Sequence, residues 1–248
     1  KALILDFDNT IWGGSIGEGG KDHIEVGEGT PIGESYSDFQ HYVLSLQRRG
    51  VILAACSKND EASALEGLSQ IDSVLKLEHF SAKQINWIDK DTNILKVAEE
   101  LSLGLDAMVF LDDDPVEREL VKSQLPKVTT PDLPPNEVVF MDLLDKEGFF
   151  EPTLFTKEDS RRAETYRRRA DVESSTKYRS HHEFLESLEM TAIVDPFHSM
   201  YLSRITQLIN KTNQFNTTTI RLTTKKVERY MSSVNHINRY ARLTDRFG

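Results

Sequence analysis

Along the first half of the chain, short unbroken apolar runs alternate with stretches in which apolar residues recur every three or four positions. Residues 2–5, Ala-Leu-Ile-Leu, form one run, residues 51–55 a second and residues 107–111 a third. Runs of this length predict strands buried on both faces, as in a parallel sheet. Helix patterns lie between them. Tyr36, Phe39, Tyr42, Val43 and Leu46 share one side of a helix expected over 35–48 and closed by Gly50. Residues 60–68 predict a second helix, capped by Asn59 or Asp60. A third starts at Asp91, with Ile94, Leu95, Val97, Ala98 and Leu101 on its apolar side and Gly104 at its end. Pro115 opens a fourth at its favoured first position. The interval between Ser57 and Lys90 must hold a further strand.

Strands alternating with helices up to about residue 146 predict an α/β fold with a parallel sheet and right-handed crossovers. Ligands of such sheets sit beyond the carboxyl ends of the strands. Residues 12–33 carry eight glycines and no periodicity, which predicts an irregular loop or small flap. The pattern changes near Phe149-Phe150-Glu151-Pro152. Beyond it, helices are expected over 156–173, 182–188 and 200–211, and strands over 220–222 and 237–243. The chain therefore divides into residues 1–148 and a smaller α/β part, residues 149–248. It opens on Lys1 without an initiator Met and closes just past a strand-like stretch, so it reads as a piece of a longer protein with an incomplete second part.

Composition narrows the function. Of the 248 residues, 38% are hydrophobic and 28% charged, enough apolar side chain to bury a core. The net charge of −10 argues against a nucleic-acid partner, which needs a basic footprint. No apolar run approaches the ~20 residues of a membrane span, and no signal peptide is visible. The one cysteine, Cys56, cannot form an intramolecular disulfide, which fits a cytoplasmic location.

The candidate chemistry sits at the strand ends. Asp6-Phe7-Asp8-Asn9-Thr10 places two carboxylates two positions apart where the chain can bend, so both can face one site. Close carboxylates repel unless a cation or proton lies between them. A hard cation such as Mg²⁺, with its preference for oxygen ligands, answers that repulsion. Asp112 and Asp113 add carboxylates at the end of another strand. A carboxylate that attacks phosphorus gives an aspartyl-phosphate, and phosphoryl transfer needs positive charge around the moving group. Lys90, just before a helix start, is a source of that charge beside the metal. Each fragment alone has a bland reading as a turn, cap or solvated side chain. Their joint order, strand-DxDxT, strand-Ser, Lys, strand-DD, is a specific series.

That series resembles the haloacid dehalogenase (HAD) superfamily of Rossmann-like phosphatases. Ile4-Leu5-Asp6-Phe7-Asp8-Asn9-Thr10 is similar to its motif I, Ser57 in Ala54-Ala55-Cys56-Ser57-Lys58-Asn59 to motif II, Lys90 in Trp87-Ile88-Asp89-Lys90 to motif III, and Val109-Phe110-Leu111-Asp112-Asp113 to motif IV. The resemblance implies Asp6 as nucleophile and metal ligand, and Asp8 as general acid/base whose backbone carbonyl also meets Mg²⁺. It implies Thr10 as support of the motif I loop, Ser57 and Lys90 as holders of the phosphoryl group with Asn9 beside them, and Asp112 and Asp113 as metal anchors. Lys83 is the rival for the motif III lysine. HAD enzymes that enclose small substrates carry a cap between motifs I and II or II and III. Neither interval here leaves the ~50 residues of a separate domain, so a capless, open site is expected.

A narrower resemblance is to the FkbH-like branch. It rests on Asp8-Asn9-Thr10-Ile11-Trp12-Gly13-Gly14, on residues 86–94, on Phe110-Leu111-Asp112-Asp113-Asp114-Pro115-Val116-Glu117-Arg118, and on residues 207–216. Asp114 departs from the branch's usual Asn and adds negative charge beside the metal site. The branch loads a glyceryl unit from 1,3-bisphosphoglycerate onto an acyl carrier protein, and its C-terminal part is related to acetyltransferase (GNAT-like) folds. The Gly-rich loop that cradles coenzyme A phosphates is absent here. An acyl-enzyme would need Cys56, whose other reading is a small buried residue at a strand end.

Arg161-Arg162 and Arg167-Arg168-Arg169 make either a solvated helix face or a docking surface for an acidic partner. His181-His182 lacks metal-ligand spacing. The polar run 212–216 around Phe215 is either a packed turn or part of an interface. The leading expectation is a Mg²⁺-dependent phosphohydrolase acting on a large or tethered phosphoester or acyl phosphate, a carrier-protein-bound one included, with a homo-oligomer compatible. The alternatives are glyceryl transfer to a carrier protein and a scaffold with an idle HAD domain.

Overall fold

A computed structural model describes residues 1–151, 164–166, 168, 186, 188–212, 218 and 220–245. They fall into two compact units, one within Lys1–Ser175 and one within Thr176–Gly248. No helix among the described residues is long and apolar enough to cross a membrane.

In the first unit four parallel strands, β1 (Ala2–Leu5), β2 (Ile52–Ser57), β3 (Ala82–Ile85) and β4 (Met108–Leu111), lie in the order β3-β2-β1-β4. A single parallel bridge from Val109 to Thr129 continues the sheet beyond β4. The expected α/β class and parallel sheet are both present. Alternate strand residues point to opposite faces, and two cores follow. Leu3, Leu5, Leu53, Ala55, Val109 and Leu111 face α1 (Pro31–Arg48) and α2 (Glu61–Ser69). Ala2, Ile4, Ile52, Ala54, Met108 and Phe110 face α3 (Lys90–Glu100) and α4 (Pro115–Gln124). The sheet is thus a Rossmann-like middle layer. The chain leaves β1 toward β2 on one side, while β4 returns on the other. That reversal opens a crevice past the ends of β1 and β4.

Several boundaries differ from expectation. α1 begins at Pro31, five residues before its apolar stripe opens at Tyr36, because Thr30 accepts from Gly33 N and Pro31 fits the first turn. The cap of α2 is Asp60, which accepts from Ser63 N. Helix α5 (Phe140–Glu147) was not foreseen. The interval from β1 to β2 holds 3-10 turns at Ile16–Glu18 and Gly20–His23 and α1, and the interval from β2 to β3 holds α2 and a 3-10 turn at Leu77–His79. Neither contains a separate domain.

In the second unit β5 (Thr191–Asp195) pairs antiparallel with β6 (Tyr240–Thr244), beside α6 (Leu202–Lys211) and α7 (Thr224–Met231). The strand expected over 220–222 is irregular. The Asn210 amide takes both the N–H and the carbonyl of Leu222, at 2.8 Å each, in place of a ladder partner. The helices expected over 156–173 and 182–188 lie largely outside the described residues. So do Arg161, Arg162, Arg167, Arg169, His181-His182 and residues 213–216.

Candidate active site

The crevice collects the strand-end residues. Asp6 follows β1 and fixes its position by donating its N–H to Leu111 O at 3.0 Å. Asp112 and Asp113 follow β4. One carboxylate oxygen from each of Asp6, Asp112 and Asp113 lies within 4.8 Å of the others. Asp6 is 5% exposed and Asp112 fully buried. Lys90, at the first position of α3 and 3% exposed, projects into this group. Its Nζ is 3.1 Å from Asp6 Oδ1 and forms an ion pair with Asp112 Oδ2. Lys83 is exposed on β3 and takes no part.

The electrostatics are those of a site short of positive charge. Burial raises the Asp6 carboxyl above its usual range, against the Lys90 ammonium and the Ser57 hydroxyl, which pull it down. Burial and the neighbouring Asp6 push Asp112 up to about 7 and Asp113 up to about 6. Burial pushes the Lys90 ammonium down, but Asp6 and Asp112 outweigh it and hold the pKa above the ordinary lysine range. One lysine therefore balances three carboxylates only in part. Among the described residues, Asp6 Oδ1 accepts no hydrogen bond although Lys90 is close. A buried carboxylate oxygen that accepts no hydrogen bond, in a three-carboxylate group with raised pKa values, fits a divalent cation with oxygen ligands.

The other expected residues surround this group. Ser57, at the end of β2 and buried, has its Oγ 3.2 Å from Asn59 Nδ2. Thr10 is fully buried, and its Oγ1 accepts from Asp113 N at 3.1 Å, which ties the loop after β1 to the loop after β4. Asn9 adopts a left-handed φ of 50°, where Asn is tolerated. Its Oδ1 accepts from Gly14 N at 2.8 Å, and Gly14 itself has a φ of 82°. The Asp8 carboxylate is anchored by the flap. It accepts from Trp12 Nε1 at 2.9 Å, Ser15 Oγ at 2.8 Å and Ile16 N at 3.2 Å. Trp12 is buried against Phe7, so Asp8 is held by a packed flap rather than a loose one. Asp114 spends its carboxylate as the α4 cap, accepting from Val116 N at 2.8 Å. Cys56 is fully buried, and burial pushes its thiol far above the usual range.

Sequence reading gave no role to four charged residues here. Arg118 donates to the carbonyls of both Asp112 and Asp113. Lys58, next to Ser57, pairs with Glu117 at 2.6 Å and with Asp89 at 3.4 Å. The only signal was that Lys58, Asp89, Glu117 and Arg118 all fell inside quoted motif stretches. Beside the cluster lies a cavity of about 400 Å³ whose wall includes Asn9, Asp113, Tyr36, Glu25 and Glu137. No lysine, arginine or histidine among the described residues lines it.

No family model matches the chain, and no curated protein matches it. Among solved structures it is similar to the N-terminal part of the protein BF1531 from Bacteroides fragilis, which contains a phosphatase domain and is complexed with Mg. The two are 43% identical with a TM-score of 0.61, over 62% of this chain and 42% of that one. The chain thus matches less than half the length of that neighbour.

Proposed function

We propose that the chain is a Mg²⁺-dependent phosphohydrolase of the HAD type, with its chemistry in residues 1–148. The observation that carries this reading is the buried group of Asp6, Asp112 and Asp113 with Lys90 3.1 Å from Asp6. The 43% identity to a Mg-complexed phosphatase domain supports it. Asp6, Asp112 and Asp113 would hold the ion with the Asp8 backbone carbonyl. Bound Mg²⁺ would add positive charge beside the transferring group and screen the carboxylates from one another.

Asp6 attacks phosphorus, and the bond to the leaving-group oxygen breaks. Asp8 gives that oxygen its proton. Water then attacks the aspartyl-phosphate, Asp8 takes the water's proton, and inorganic phosphate leaves with Asp6 restored. Lys90 and Ser57 hold the phosphoryl oxygens throughout. The test is phosphate release from p-nitrophenyl phosphate with Mg²⁺, its loss in EDTA and its return with excess Mg²⁺. No metal-dependent release from this or from alkyl phosphates would leave the scaffold reading in its place. Glyceryl transfer gains no support, since Cys56 is buried and poorly ionised.

Asp8→Asn is expected to lower turnover of alkyl phosphates by roughly 10²–10⁴-fold, the usual worth of a general acid or base. p-Nitrophenyl phosphate should be hurt far less, because p-nitrophenolate leaves without a proton. Equal losses on both would count against this role.

The cavity sets a preference among leaving groups. Glu25, Asp113 and Glu137 surround Tyr36, and after burial itself they are the causes that raise its hydroxyl pKa. A neutral or cationic leaving group suits such a wall, and a second phosphate or a carboxylate does not. Aminoalkyl phosphates are expected to exceed bisphosphates of similar size by about tenfold in kcat/KM, the worth of ~1.4 kcal/mol. Equal values would show that the leaving group avoids this cavity.

A further inference from the structure

The loop that carries Asp112 and Asp113 turns sharply after β4, and its backbone has to be held so that both carboxylates face Asp6. Three contacts act on it. Asp114 N donates to Asp112 Oδ1 at 2.9 Å, and Asp113 N donates to Thr10 Oγ1 at 3.1 Å. The third contact comes from α4. Arg118 Nη1 donates to Asp112 O and to Asp113 O, both at 2.7 Å. Arg118 is 6% exposed. Its Nε has no hydrogen-bond partner among the described residues, and its only other charged contact there is Asp132 Oδ1 at 3.7 Å, on a side chain 75% exposed. A buried guanidinium is costly unless well paired. Here its short bonds go to two consecutive carbonyls rather than to a carboxylate.

We infer that Arg118 is a positioning residue for the metal: by gripping the carbonyls of Asp112 and Asp113 it turns both carboxylates toward Asp6 and sets the affinity for the divalent ion. The inference rests on the Mg²⁺-phosphatase reading. It follows from geometry that two adjacent carbonyls bound to one nitrogen on the α4 side cannot rotate without breaking a short, charge-assisted bond. Partners that orient metal ligands typically govern affinity by 10–100-fold.

The experiment titrates the full chain with Mg²⁺ alone by calorimetry and follows phosphatase activity against Mg²⁺ concentration. Arg118→Met is expected to weaken Mg²⁺ binding at least about tenfold, while kcat at saturating Mg²⁺ stays within about threefold of wild type. Arg118→Lys, which keeps a cation with several donors, should recover part of the affinity. Asp132→Ala, which removes the distant exposed partner, should bind Mg²⁺ as wild type does. Folded Arg118→Met with Mg²⁺ affinity within about threefold of wild type overturns the inference and leaves the phosphatase reading standing. Failure of both the Met and the Lys variant to fold also overturns it, because Arg118 would then serve the whole domain rather than this loop. No Mg²⁺ binding by the wild-type chain would remove both.

Discussion

Asp6→Asn is expected to lower kcat for phosphate release by about 10⁴-fold or more, the loss typical of removing a nucleophile. The amide keeps the shape of the carboxylate, so β1 and its N–H bond to Leu111 O should survive. It cannot attack phosphorus, and it removes one of three negative charges from the metal group. The folded state should gain rather than lose stability in the absence of metal, because burial opposes ionisation of Asp6 and the Asp6 charge in turn opposes ionisation of Asp112. The measurement is single-turnover phosphate release at saturating Mg²⁺ beside a melting curve in EDTA. An enzyme within tenfold of wild type would take Asp6 out of its role. A melting temperature well below wild type would mean that the carboxylate holds the fold rather than the reaction. Covalent labelling separates the steps: wild-type protein trapped with beryllofluoride should mimic a phosphorylated Asp6, and the Asn variant should not.

The parts of this fold that were legible are those whose sequence had one environment to satisfy. β1, β2 and β4 are buried along their whole length, so each reads as an unbroken apolar run. β3, Ala-Lys-Gln-Ile, lies at the sheet edge with only Ala82 and Ile85 buried, and no periodicity marks it. β5 was missed for the opposite reason. Its Thr-Ala-Ile-Val-Asp is exposed throughout among the described residues, so apolar character there does not report a core. Residues 220–222 look like a strand in composition, yet one side chain, Asn210, takes over the backbone groups a strand would use.

The site divides in the same way. Asp6, Asp112 and Asp113 were visible because strand ends announce themselves, and Lys90 because it precedes a helix. The order of the motifs could not say where the Asp8 carboxylate turns. That depends on the packing of Trp12 against Phe7, which places the indole N–H and the flap behind it. Lys58–Glu117 joins residues 59 positions apart. Such a pair depends on the crevice having formed, and local pattern carries no trace of it. Arg118 is closer in sequence to what it holds, but its partners are carbonyls, and any residue offers a carbonyl.

Lys90→Met is expected to fail in two ways at once, and the second shows why the lysine is there. Without the ammonium, the phosphoryl group loses a buried charge partner, which should reduce kcat/KM by about 10²–10³-fold, as for a lost electrostatic stabiliser. Lys83→Met, on the exposed residue of β3, should change neither activity nor stability. The metal-free fold should also weaken. Removing one partner of a buried ionic group usually costs about 3–5 kcal/mol, because the remaining charges are left uncompensated. The cluster can escape part of that cost by taking up protons, since Asp112 already stands at about 7 and Asp113 at about 6 with the lysine present. The sign follows. These carboxyls have folded pKa values above the unfolded ~3.9, so between that value and the raised one the folded state binds more protons than the unfolded state. Stability in EDTA must then fall as pH rises through that window, and in Lys90→Met, where the lysine no longer opposes the rise, it should fall further and to higher pH. Mg²⁺ replaces the missing charge, so at pH 8 it should raise the melting temperature of Lys90→Met more than that of wild type. Equal Mg²⁺ shifts in the two proteins, or an Lys90→Met enzyme within tenfold of wild type, would mean that Lys90 and the metal do not serve the same carboxylates.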